Sequence, residues 1–192
     1  MDKFTNPILW IGISIGILII SKYVFKIDYI NIFDIVEKHI GNFRNQKTNK
    51  ILIVPFFIYF IVPFIIGASI CKIKLADKDI IENITVILSI FTSMLFTLLA
   101  LVIDLKGKIE SRNKSDGAKI RILKELLKET YYTIMFEIIV AVVLLILTFA
   151  YMLAGSKSII VTTLVYSLLF LFIFNLLIVL KRIFLIYQEE LK

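Results

Sequence analysis

Glu137 is the one acidic residue inside any of the long apolar stretches of this chain. An ionised carboxylate at the centre of a bilayer costs roughly 2.5 to 3.5 kcal/mol on insertion scales, so it needs a partner or water. The spacing supplies one. Glu137 lies six residues beyond Tyr131, where its stretch begins, and Asn175 lies six residues before Lys181, where the next stretch ends. Antiparallel helices joined by the short segment 154–158 bring both side chains to one depth, about 9 Å in, with Lys181 and Arg182 above them. Such a pair serves either as a structural hydrogen bond or as a protonatable or ion-contacting group in a shared cavity. A second pattern is a stripe of hydroxyls: Thr85, Ser89, Ser93 and Thr97 recur every fourth residue, Ala100 continues the line and Asp104 closes it. A small, weakly polar helix face of this kind packs closely against another helix or lines a wet path. Its hydroxyls can also satisfy themselves on the carbonyl one turn back. Ser89, Ser93, Thr97, Glu137 and Asn175 are thus the candidates for an intramembrane polar network or pore lining.

Other chemistry is missing. There is no HExxH, no GxSxG, no phosphate-binding GxxxxGK[ST] loop and no glycine-rich dinucleotide turn. A single cysteine, Cys71, permits no internal disulfide, and a single histidine, His39, supplies no zinc-ligand spacing. His39 is expected to be solvated or interfacial. No span pairs aspartates, or a serine with a histidine, at one depth for intramembrane hydrolysis. The expectation is a protein that is not an enzyme and carries no cofactor and no metal.

The elements that hold these residues follow from composition. Of 192 residues, 59% are hydrophobic and 16 are Phe, and the mean hydropathy is +0.93. No water-soluble globule has this composition. Five apolar stretches have the length of about 20 residues that a bilayer crossing requires: Pro7 to Phe25, Ile51 to Ile70, Ile84 to Ile103, Tyr131 to Tyr151 and Ile159 to Leu180. The fold class is all-α, a polytopic transmembrane helical bundle: a four-span core plus an N-terminal span and an interfacial amphipathic helix. The first stretch resembles a signal peptide but has no small-x-small cleavage site, and it reads as a retained span, with a tilted interfacial segment as the rival because of Lys22.

The net charge of +7 invites a nucleic-acid reading, but nothing interleaves aromatic and basic residues to stack bases, and no direct nucleic acid binding is expected. Of 22 Lys and Arg, 17 lie in segments 22–50 and 104–130 and in the tail from Lys181. By the positive-inside rule these segments are expected to face the cytoplasm, the C-terminus with them.

Residues 1–50 form one unit, the first span and an amphipathic helix; residues 51–192 form the four-span core. Gly12 and Gly16 stand at GxxxG spacing on the first span and are candidates for oligomer packing. Phe25, Tyr29, Ile32, Phe33, Val36, Ile40 and Phe43 recur at helical spacing, giving a helix that lies in the membrane interface or packs on the protein's own loops. Pro55 and Pro63 predict a kinked second stretch. Segment 104–130 reads as a cytoplasmic helical hairpin turning at Ser115-Asp116-Gly117. Ile120, Ile122, Leu123, Leu126 and Leu127 give the hairpin an apolar side, and Lys119, Arg121 and Lys124 are candidates for docking a partner.

Three stretches, Ile87 to Asp104, Leu126 to Phe136 and Asn175 to Phe184, carry a resemblance that runs from about residue 72 onward. The chain there resembles small polytopic membrane proteins of bacterial anti-phage defence loci, most of all the membrane subunit of Kiwa-type systems. The resemblance implies a four-span protein with no catalytic residues, acting with a soluble cytoplasmic partner encoded nearby. The expected function is a membrane sensor or effector component of such a system, working as a homo-oligomer; an ion-conducting pore and a membrane scaffold or accessory subunit are the alternatives.

Overall fold

The structure is a computed structural model and describes residues 13, 16–17, 32–44, 50, 52–111, 117–154 and 158–191. The first expected span lies outside the described residues save for three helical positions, and Gly12 and the Ser115-Asp116 turn lie outside them too. Five helices carry the described fold: α1 (Phe33–Gly41), α2 (Ile53–Ile73), α3 (Lys78–Ser111), α4 (Gly117–Ala154) and α5 (Ile159–Leu191). There is no strand among the described residues. The four helices α2 to α5 are long and apolar enough to cross a membrane, so this is a multi-pass, all-α membrane bundle. One end carries the start of α2 and α4 and the finish of α3 and α5; it is called the basic end below.

Hydrocarbon offers a peptide group no hydrogen-bond partner, which is why uninterrupted helices are the form these stretches take. Pro55 falls in the first turn of α2, where its missing N–H has no intrahelical acceptor to lose, and α2 runs on through the buried Pro63. At the other end of α2 the chain reverses in four residues. Asp77 caps α3 by accepting from the Ile80 N–H at 3.0 Å and pairs with Lys74. Those two contacts hold its carboxyl below the usual carboxylate range.

The helices pack in the order α2, α5, α4, α3, with α1 lying on α4. The inner pair is therefore the most enclosed: half of the apolar window of α4 is buried, against 17% for α2 and α3. Buried positions recur at the spacing of a coiled-coil seam. On α3 they are Ile81, Leu88, Leu95, Val102 and Ile109; on α5, Val165, Phe172, Val179 and Ile186. On α4 the seam alternates three and four, from Leu123 and Leu127 through Thr130, Ile134, Glu137, Ala141, Leu144 and Thr148 to Tyr151. A 3.5-residue repeat makes neighbouring helices cross at a shallow left-handed angle. Most of the expected apolar side of segment 104–130 is consumed here, since Leu123 and Leu127 belong to the same buried core as Ile109, with Ile120 and Leu126 packed against it and Ile122 left exposed.

The closest approach is between α2 and α5. Tyr59, Pro63, Gly67 and Cys71 form the buried face of α2 at intervals of four. A Cβ on Gly67 would sit 2.5 and 2.7 Å from the backbone N and Cα of Ser167, closer than atoms can pack. Glycine is required there by space. At the far end the Tyr151 hydroxyl donates to the Ala76 carbonyl at 2.8 Å and accepts from Thr162 at 3.4 Å. Tyr151 thus clasps the α2–α3 turn to α4 and α5.

Gly67→Ala is expected to lower stability by about 1–3 kcal/mol, the cost of overpacking a tight contact. Gly107→Ala, at an exposed helical site with nothing near its Cβ position, is expected to leave stability unchanged or raise it slightly. Thermal unfolding of the purified protein in detergent checks both.

Candidate functional site

At the basic end, Ile35, Val36 and His39 share the inner face of α1 and, with Phe43 just beyond it, pack on the bundle, while Ile32 and Phe33 remain exposed. His39, expected to be solvated or interfacial, is only 1% exposed. Its ring stacks on Phe136 at 4.1 Å with the planes 3° apart. Its Nε2 shares a hydrogen bond of 3.0 Å with the Tyr59 hydroxyl. Burial, with the Arg182 charge adding to it, lowers the His39 pKa from 6.5 to about 3, so the ring is neutral at physiological pH.

One residue ties three helices together beside this ring. Arg182 of α5 donates to Glu129 Oε2 of α4 in a partly buried ion pair. The Glu129 carbonyl accepts from Thr133 Oγ1 at 2.9 Å and from Asn42 Nδ2, which follows α1, at 3.4 Å. Charged pairs of this kind contribute more than surface ion pairs because less water screens them.

One step deeper, Glu137 and Asn175 are both fully buried. Asn175 is in range of the carboxylate, yet neither Glu137 oxygen nor either polar atom of the Asn175 carboxamide makes a hydrogen bond among the described residues. Leaving such groups unsatisfied costs about 1–3 kcal/mol each. The hydroxyl stripe stands elsewhere. Ser89, Ser93 and Thr97 are exposed on the outer face of α3, with Ser89 and Thr97 donating to carbonyls one turn back at 2.8 and 3.2 Å. The stripe and the Glu137–Asn175 pair share no path within one chain. Gly16 has nothing within 4 Å of its Cβ position.

The candidates Arg121 and Lys124 line an open cleft of about 700 Å³ between α1 and α4; the Lys119 side chain lies outside the described residues. Lys38, Arg44 and Lys128 line it too, and Tyr132 closes its membrane-side end with Lys38 over the ring at 5.2 Å. The cleft was not legible in the sequence, since its walls are about 80 residues apart; the buried His39 had a signal in its spacing from Val36 and Phe43. No protein-family model, curated protein or solved structure matches the chain.

Two outcomes follow from this geometry. The folded state holds His39 neutral, so its contribution is complete above pH 6.5 and is lost as pH falls toward about 3. The slope from this residue reaches up to about 1.4 kcal/mol per pH unit. His39→Phe is expected to flatten that part of the stability profile, although its midpoint at neutral pH is lower because Tyr59 loses a partner. The double variant Glu137→Met/Asn175→Leu is expected to unfold at the same or a higher temperature than the native chain, because apolar groups replace buried polar atoms that have no bonds.

Proposed function

We propose that the chain is a non-enzymatic inner-membrane component of a bacterial anti-phage defence system, a homo-oligomeric sensor or effector that acts with a cytoplasmic protein partner encoded nearby. The likeness of the stretches 87–104, 126–136 and 175–184 to membrane subunits of that kind supports the defence reading. The observation that carries a relay role is the reach of α3 and α4. At 34 and 38 residues, each exceeds the length a bilayer needs by about 20 Å or more. Most of the surplus of α4, residues 117–130, and residues 104–111 of α3 lie at the basic end, and the positive-inside rule puts that end in the cytoplasm.

The buried seam of α4 runs without a break from Leu123 in this extension to Tyr151 at the far end of the span. A rigid helix of this kind transmits a displacement in the membrane to the cytoplasmic surface, where Arg121 and Lys124 present charge to a partner. The exposed Ser89, Ser93 and Thr97 face of α3 is the surface a second copy would cover, since hydroxyls facing lipid gain nothing. The same observation favours one second reading, a pore between copies lined by this stripe.

Expressed with its neighbouring genes in a phage-sensitive host, the protein is expected to lower phage plating, and Arg121→Glu/Lys124→Glu to abolish both protection and co-purification of the neighbouring product. Unchanged plating by the native locus would overturn the defence reading, and a retained complex in the variant would overturn the docking surface. Collapse of membrane potential on overexpression of this chain alone, reversed by Ser93→Leu, would select the pore.

A further inference from the structure

From the cleft between α1 and α4 we infer a binding site for a small phosphate-bearing anion, with the headgroup of an anionic glycerophospholipid as its first source. The cleft is walled by five cations from two separate elements, Lys38 and Arg44 on one side and Arg121, Lys124 and Lys128 on the other. Two carboxylates stand among them, and one, Glu129, is committed to Arg182. Like charges gathered around one concavity repel each other, and an anion relieves that repulsion.

The position of these cations on α4 sharpens the point. Lys119 and Arg121 occupy the opening residues of the helix, which has no acid in its first turn. Positive charge there opposes the helix dipole by about 0.3–1 kcal/mol per group. Helix stability therefore does not account for them. A phosphate in the cleft beside Arg121 accepts charge-assisted hydrogen bonds from the guanidinium.

Depth and size select the ligand. The apolar stretch of α4 begins at Tyr131 in the sequence, and the cleft occupies the turns immediately before it, where a bilayer around that stretch would set its headgroups. A volume of about 700 Å³ accommodates a glycerophosphate headgroup or a nucleotide. Basic pockets at this depth between membrane helices hold anionic headgroups by the same physics. A soluble phosphate compound offers the same chemistry, and the experiment separates the two sources.

The purified full chain in a neutral detergent is unfolded thermally with dioctanoyl phosphatidylglycerol, short-chain cardiolipin, dioctanoyl phosphatidylcholine, ATP or sodium phosphate. Anionic lipid is expected to raise the unfolding midpoint and phosphatidylcholine to leave it unchanged. Two variants remove the effect, Arg121→Gln/Lys124→Gln/Lys128→Gln on one wall and Lys38→Gln/Arg44→Gln on the other, each weakening binding at least tenfold. Lys106→Gln/Lys108→Gln, two exposed cations of α3 outside the cleft, retains it. A shift with ATP or phosphate but not with lipid keeps the site and assigns it to a soluble ligand. Equal shifts with all additives, no shift with any, or a shift that survives both wall variants overturns the proposal. The site goes beyond the defence reading, and no partner is present in the assay; loss of partner docking with ligand binding intact, or the reverse, separates the two.

Discussion

Between helices surrounded by lipid there is no water to expel, so what holds this bundle together is the closeness of its seams. Apolar side chains on the outside are as content in hydrocarbon as those inside. The interior must therefore offer something lipid does not. At Gly67 it offers backbone contact with Ser167 that no side chain would permit. Along α3, α4 and α5 it offers interdigitation at 3.5-residue spacing, where each buried side chain meets neighbours on the facing helix instead of mobile acyl chains. The α4 seam continues past the apolar stretch into its extension, so membrane and extramembrane parts share one core.

Glu137 is more than a passenger on that seam. It occupies an inward position among Ile134, Ala141 and Leu144 on α4, with Asn175 on α5 as its polar counterpart. An apolar seam alone tolerates sliding by a heptad, because leucine and valine meet similar surfaces in either register. Moving Glu137 one heptad along α5 would set it against Leu168 in one direction, with no polar group to face, and in the other against Arg182, which Glu129 already holds. A buried polar residue at such a position fixes register at a cost in stability. The unsatisfied atoms at Glu137 and Asn175 are the form that cost takes here.

Hydropathy made the four core helices legible in the sequence, and the six-residue offsets of Glu137 and Asn175 were enough to set them at one depth. The seam was hidden for a physical reason. In water an amphipathic pattern separates inside from outside, but on α3 the lipid-facing Ile90, Met94 and Leu101 are as apolar as the buried Leu88, Leu95 and Val102. Only polar residues break the symmetry. On α4, Thr130, Glu137 and Thr148 mark the inner face because lipid would reject them, whereas the hydroxyls of α3 mark an outer one, being satisfied by their own helix. The clearest polar pattern in the sequence thus lay on the outside of the bundle. His39 shows the converse: on a short helix outside the spans its polarity suggested solvent, while Phe136 and Tyr59, distant in sequence, supplied a flat apolar seat and a hydrogen bond.

That seat joins the basic end to the membrane. Lys38 lines the cleft, and His39, the next residue of α1, is stacked on Phe136, which immediately precedes Glu137. Burial and the Arg182 charge both disfavour a charged imidazole in that position, so proton uptake by His39 weakens the seating of α1 on α4. Lifting α1 separates the two walls of the cleft. An anion bound between the two walls, as proposed above, would favour the seated α1 and with it the neutral His39. By linkage, acidity that charges His39 weakens the hold on the anion by the same free energy. The groups around the ring on every side, Tyr59 from α2, Glu129 and Glu137 from α4 and Arg182 from α5, bias this equilibrium through the position of one nine-residue helix. Of all the described elements it is the one whose displacement would leave the four-helix seams intact.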